Sequence, residues 1–148
     1  MDQRKATITR NTNETQITVE MNLDGNGYTH NTGVGFFDHM LDHVARHGQI
    51  GLNVTCKGDY QIDDHHSVED VGIALGQALI EALGDKMGIE RYGFASVPMD
   101  EALARVVIDL SGRPCAVVNL GLKRERIGQM ATENITHVFQ SLAMALKA

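Results

Sequence analysis

Gln49-Ile50-Gly51-Leu52-Asn53-Val54-Thr55-Cys56-Lys57 alternates apolar and polar residues, with Ile50, Leu52, Val54 and Cys56 on one face, as a half-buried strand does. Gly58-Asp59 then turns the chain toward Asp63-Asp64-His65-His66-Ser67-Val68-Glu69-Asp70. From about Ser67 to Leu83 the apolar residues Val68, Val71, Leu75 and Leu79 recur at helical spacing instead. The change of period, from about 2 to about 3.6 residues, predicts a strand followed by a helix that covers it. Gly72 and Gly76 leave a flat face on that helix where a neighbour can approach closely.

Upstream the same pattern returns. Thr15 to Leu23 alternates, with Ile17, Val19, Met21 and Leu23 on one face, and Lys5 to Arg10 alternates weakly. Asp24-Gly25-Asn26-Gly27 reads as a turn suited to a hairpin. Asn31 to Gly35 leads into a helix over Phe36 to Gly48, with Phe36, Phe37, Met40, Leu41 and Val44 as its stripe and Gly48 as its end. Downstream, Tyr92 to Val97, Ala102 to Leu110 and Pro114 to Leu122 are predicted strands, and Ser111-Gly112-Arg113-Pro114 is a turn. Thr132 to Lys147 reads as a helix with Ile135, Val138, Phe139, Leu142 and Leu146 on its face. The order suggests an α+β unit repeated, with residues 1–90 as one half and 91–148 as a second that lacks its last strand and helix. Phe36–Gly48 and Thr132–Lys147 are the equivalent helices.

The chain has 148 residues, 43% of them hydrophobic and 22% charged, with a mean hydropathy of −0.18, values of a folded globular protein. No apolar run reaches the ~18–20 residues that cross a bilayer. Met1-Asp2-Gln3-Arg4-Lys5 opens no export signal, so a cytoplasmic location without membrane contact is expected. The net charge of −6 disfavours general nucleic-acid binding. Cys56 and Cys115 lie in alternating apolar stretches without metal-binding spacing and read as buried small hydrophobes.

Histidine is the unusual component: six of the seven fall between His30 and His66. In His65-His66-Ser67-Val68-Glu69 the carboxylate can reach back beside either imidazole once the helix starts, while the adjacent rings diverge and suit two ions better than one. Imidazole and carboxylate donors favour zinc, manganese, iron or nickel. Asp63, Asp64 and Asp70 are candidates to orient the ring N–H groups. His39, His43 and His47 follow at every fourth position of the first helix. His43 reads as a surface residue, and His30 suggests no role. Gly-x-Ser-x-Gly, Walker and Gly-x-Gly-x-x-Gly motifs are all missing from the sequence. The cluster by itself also permits a dinuclear-metal hydrolase.

Six motifs together resemble the imidazoleglycerol-phosphate dehydratase family. They are Asn11-Thr12-Asn13-Glu14-Thr15, Asn31-Thr32-Gly33-Val34-Gly35-Phe36-Phe37-Asp38-His39-Met40-Leu41, Asp63-Asp64-His65-His66-Ser67-Val68-Glu69-Asp70-Val71-Gly72, Arg91-Tyr92-Gly93, Pro98-Met99-Asp100-Glu101 and Ser111-Gly112-Arg113-Pro114. The likeness runs in register from about Arg10 to Leu142. It implies two similar α+β halves, each a mostly four-stranded sheet backed by helices, the ribosomal protein S5 domain 2-like fold. It further implies a homo-oligomer of trimers built into a 24-mer, active sites between subunits, and two manganese ions per site.

By the same resemblance the metal ligands fall on His39, His65, His66, Glu69 and His137. Glu14 and Glu69 take the catalytic positions. Glu14, His47, Arg91 and Arg113 meet the substrate, imidazole glycerol phosphate, together with the ligands His39, His65, His66 and Glu69. The implied reaction, in histidine biosynthesis, removes water to give imidazole acetol phosphate. The carbon that loses its proton has no carbonyl beside it, so ions holding the substrate ring as imidazolate would supply the missing electron sink. Arg91 and Arg113 suit bidentate phosphate capture, and Glu14 suits proton transfer or hydroxyl contact. Members of the family continue past this last helix to another strand, a second His-His-x-x-Glu cluster and a phosphate-binding lysine. A chain ending at Ala148 is therefore expected to leave the apolar face of Thr132–Lys147 exposed and a sheet edge unpaired. A metal-binding homo-oligomer without catalysis is the alternative for such a form.

Overall fold

The alternation of Gln16–Asn22 forms strand β2, which pairs antiparallel with β1 (Lys5–Asn11) on one side and β4 (Gly51–Lys57) on the other. Register aligns Ala6, Met21 and Leu52 in one row and Ile8, Val19 and Val54 in the next, so a single face of the sheet is apolar. That face is the core, where Ile17, Val19, Leu52 and Val54 are buried. The opposite face is polar, and Asn53 there donates to the Glu20 carboxylate at 3.2 Å. The computed structural model describes residues 3–148; Met1 and Asp2, where the reading for an export signal begins, lie outside the described residues.

The hairpin expected over Asp24-Gly25-Asn26-Gly27 does not form. The chain turns there, with Gly27 at φ +90°, but the next strand, β3 (Tyr28–Asn31), pairs parallel with β4 and gives the order β1-β2-β4-β3. β4 already occupies the second edge of β2, so β3 joins the far side of β4 and returns through helix α1 (Gly35–Gly48), the crossover that parallel strands require. Asp38 on α1 accepts from the backbone N–H and the hydroxyl of Thr32 at 2.8 and 2.7 Å, which fixes this entry.

The buried positions of α1 are Phe37, Leu41 and Ala45, a strict four-residue spacing that turns Val44 into solvent, against the expected stripe. Gly48 is the last residue of the helix, as expected, but it does not supply the left-handed cap. Gln49 adopts the left-handed conformation at φ 54° and its N–H caps Ala45 O. In the last turn of α1 the chain thus uses an ordinary side chain where glycine is the cheaper choice.

Helix α2 (His65–Leu83) covers the sheet with Val68, Val71, Ala74, Leu75 and Ala78. Its glycine face receives helix α3 (Thr132–Leu146), as the spacing predicts: a methyl at Gly76 would stand 2.7 Å from Leu142 O and from Ala145 Cβ, and one at Gly72 would stand 3.0 Å from Val138 O. Contacts of Gly72 with Val138 and Ser141, and of Gly76 with Leu142 and Ala145, show that α2 and α3 run side by side in the same direction. Consequently the apolar side of α3 is not left open: Val138 and Leu146 are buried, and Ile135 packs partly, while Phe139 remains exposed. α1 and α3, the helices read as equivalent, have matching ends, an extended N-cap without a side-chain bond and a left-handed C-cap, Gln49 or Lys147.

Strands β5 (Tyr92–Met99) and β6 (Ala102–Asp109) form an antiparallel two-stranded ribbon with almost every residue exposed, Phe94 at 88%. Pro114–Leu122 is not a strand. Alternation alone cannot hold a strand without a ladder, and this segment joins none; its Cys115 N–H instead donates to Ala148 O. For the same reason Cys115 is exposed, whereas Cys56, inside β4, is buried. A short hairpin, β7 (Arg126–Ile127) with β8 (Met130–Ala131), leads directly into α3. Among the described residues no helix is long and apolar enough to cross a membrane.

Candidate functional site

The parallel packing of α2 and α3 sets their first turns side by side. Asp64, buried at the start of α2, reinforces this: Oδ2 accepts the Ala131 N–H at 3.0 Å, and Arg126 lies 3.5 Å from Oδ1. Asp63 Oδ1 accepts the His65 N–H at 2.9 Å. His65 then faces across the helix pair. Its Nδ1 donates to Asn134 Oδ1 at 3.1 Å, its Nε2 is 2.8 Å from Glu69 Oε2, and its ring lies 4.9 Å from that of His137 on α3.

This arrangement has a direct chemical consequence. With the Nδ1 proton committed to Asn134, a bare Nε2 lone pair facing a carboxylate oxygen at 2.8 Å would repel it. A proton or a cation must lie between them. The nitrogen and oxygen donors are those of a borderline divalent ion, manganese or zinc among them, so the His65–Glu69 pair fits such a group, and the His137 ring lies beside it.

His66 points elsewhere, its ring at 86° to that of His65, the divergence expected of adjacent histidines at a helix entry. Nδ1 of His66 is 2.8 Å from Asp59 Oδ2. That hydrogen bond, more than any other influence, raises the His66 pKa above its ordinary value, and the charges of Glu14 and Asp63 add to it. Held this way, the ring turns Nε2 away from Asp59.

Glu14 sits at the tip of the β1–β2 hairpin. The Thr12 hydroxyl accepts the N–H groups of Glu14 and Thr15 at 3.1 and 3.0 Å, which shapes the tip. Asp70 anchors it to α2 by accepting from the Thr15 hydroxyl at 2.6 Å and from Arg10 at 3.1 Å. The acidic residues expected to orient the rings therefore do other work: Asp63 and Asp64 serve the backbone, and Asp70 holds the hairpin. Asp59 and Asn134 are the partners of the two imidazoles. Neither carries a sequence signal, because each is joined to its ring only by folding.

The remaining candidates stand apart. His39, His43 and His47 pair among themselves on the exposed face of α1, with 3.2 Å between Nε2 of His39 and Nε2 of His43. Arg91 is bonded to Asp109 at 2.6 Å and lies over Tyr92. It lines a recess with Leu83 and Leu146, the C-terminal ends of α2 and α3. Arg113 neighbours Gly112, whose N–H donates to Lys147 O at the end of α3. A helix the length of α2 spans about 27 Å, so both arginines occupy the opposite end of the helix pair from His65. Among the described residues no three His, Cys, Asp or Glu side chains stand close enough to hold a metal ion, so the chain presents donor pairs and not a closed cage.

A mixed sheet backed by helices, with imidazoles and carboxylates gathered at two helix entries, defines an α+β enzyme with polar ionisable groups poised for acid–base chemistry. The family model of imidazoleglycerol-phosphate dehydratase matches residues 32–148. The dehydratase of Saccharophagus degradans is 60% identical over 141 residues, which are 95% of this chain and 72% of that protein. That of Cellvibrio japonicus is 59% identical over the same extent. Among solved structures, imidazoleglycerol-phosphate dehydratase from Staphylococcus aureus superposes with a TM-score of 0.83 at 38% identity, covering 97% of this chain and 78% of that one. The enzyme from Pyrococcus furiosus gives 0.80 at 34%, with 95% and 74% covered. The chain belongs to the imidazoleglycerol-phosphate dehydratase family, the hydro-lyases that act in histidine biosynthesis.

Proposed function

We propose that the dehydration of imidazole glycerol phosphate by this protein depends on two manganese ions held by His39, His65, His66, Glu69 and His137, in a cytoplasmic homo-oligomer of trimers built into a 24-mer. The observation that carries the metal reading is the 2.8 Å approach of His65 Nε2 to a carboxylate while Nδ1 is spent on Asn134, a contact that calls for positive charge. When bound, the ions act as Lewis acids that stabilise negative charge developing on the substrate's imidazole ring.

The chain's own residues have separate tasks. Asn134 and Asp59 hold the two imidazoles in the tautomer that leaves Nε2 free. Glu14, suspended on its braced hairpin close enough to His66 to affect its charge, moves the proton at the reacting carbon or at the departing hydroxyl. Arg91 and Arg113 bind the phosphate. Their position at the far end of the α2–α3 pair supports the reading that they serve the site of another copy, in an active centre shared between subunits. The exposed apolar ribbon of β5 and β6 supports assembly as well.

The test is a dehydration assay on the metal-stripped protein with manganese returned, alongside Glu14→Gln. Turnover restored by manganese and reduced by about 10²–10⁴-fold in Glu14→Gln is expected. Manganese binding without turnover would leave a metal-binding oligomer, and phosphate-ester hydrolysis without dehydration would favour a hydrolase.

A further inference from the structure

Glu14 stands in the loop, residues 12–15, that joins β1 to β2. Thr12 N–H closes the base of the loop by donating to Thr15 O at 2.8 Å, and the Glu14 N–H is held by the Thr12 hydroxyl oxygen at 3.1 Å. Thr15 is buried, and its hydroxyl donates to Asp70 Oδ2 at 2.6 Å, across 55 residues of sequence. Arg10 binds the other oxygen of that carboxylate at 3.1 Å.

The direction of each bond in this chain follows from its last member. A carboxylate has no proton to give, so the single hydroxyl proton of Thr15 goes to Asp70. In the 3.1 Å contact between the two threonine hydroxyls, Thr12 is therefore the donor. The lone pairs of Thr12 remain for the N–H groups of Glu14 and Thr15. Every proton points one way, from the Glu14 backbone toward Asp70. Without the carboxylate both hydroxyls are free to turn, and the Thr12 oxygen is no longer held beneath the Glu14 N–H.

We infer that Asp70 is a positioning residue for Glu14, acting through Thr15 and Thr12. Asp70 follows Glu69 on the first turns of α2, so one stretch of helix sets the place of the proton-transfer carboxylate and of the metal-binding one. The inference rests on the dehydration reading for the role of Glu14, whereas the hydrogen-bond chain stands on its own geometry.

Steady-state kinetics of the manganese-loaded parent, Thr15→Val, Thr15→Ser and Asp70→Ala test it, with melting curves to verify that each is folded at the assay temperature. Thr15→Val and Asp70→Ala are expected to lower kcat about 10–100-fold, the effect of a misplaced catalytic group. KM and manganese affinity are expected to stay within about twofold, and Thr15→Ser, which keeps the hydroxyl, to restore kcat. In a Glu14→Gln background Thr15→Val is expected to cost nothing further, because the group it places is gone. The Glu14 and Thr15 amides are expected to exchange with solvent about fivefold faster in Thr15→Val and Asp70→Ala, the weight of one hydrogen bond. Parental kcat in both variants, the same fold-loss with and without Glu14, or unchanged amide exchange overturns the inference. A parent without turnover refutes the dehydration reading instead, and amide exchange then decides the hydrogen-bond chain by itself.

Discussion

Asp59 accepts the Nδ1 proton of His66 at 2.8 Å and holds the imidazole pKa above its ordinary value, joining the loop before α2 to the helix entry. A histidine whose folded pKa exceeds its unfolded one adds stability that is fully present below about 6.5 and is lost as pH rises through the raised value. Asp59→Asn removes the charge. Its His66 pKa is expected to drop, read from the ring-proton shifts in an NMR titration, and the pH dependence of the melting temperature to flatten over that window. An unchanged titration curve would refute the pairing.

Asn134 is buried and bonded to Nδ1 of His65. Asn134→Ala frees that ring to rotate and to change tautomer. Activity and metal affinity are expected to fall about 10–100-fold, the usual effect of losing the partner of a ligating imidazole. Steady-state kinetics with metal titration measure both.

Gly76 faces the backbone of α3. Alanine would gain about 1 kcal/mol in helix propensity, but its methyl would stand 2.7 Å from Leu142 O and 2.9 Å from Leu146 N, atoms that cannot yield without moving the helix. The clash wins. Gly76→Ala is expected to destabilise by about 1–3 kcal/mol, and denaturant melts give the value; a neutral result would mean that α3 is free to move.

His30 lies in the same row as Ile8, Val19 and Val54, so its side chain is fully buried; Nδ1 meets Asp42 of α1 at 2.5 Å, and Nε2 has no partner. Asp42→Ala leaves both ring nitrogens unpaired and is expected to cost about 1–3 kcal/mol. His30→Leu removes the unpaired nitrogen and leaves Asp42 to water, which predicts a near-neutral or stabilising change. Equal losses in the two melts would contradict this account.

How much of this was readable in the sequence depended on the range of the interaction. α1, β4, α2 and α3 are legible because each buries one face and writes that face as a period of two or about 3.6. Gly72 and Gly76 marked the face that α3 covers. Periodicity records that a residue is buried and not what buries it. Thus Asp24–Gly27 suggested a hairpin where a parallel crossover forms, and Pro114–Leu122 alternated without finding a ladder. His30, buried by its parallel partner, gave no sign of its place.

The sequence by itself determined the α+β class, the principal helices and the kinds of side chain available for chemistry, because local spacing and residue type suffice for these. Only the tertiary structure decided that His65 meets Glu69 and Asn134 while His66 meets Asp59, and that Arg91 and Arg113 lie beyond the far end of the helix pair. The meeting of His65 with Asn134 follows from the parallel packing of α2 on α3. It brings together groups as distant in the chain as His65 and His137, and no local pattern encodes such a meeting.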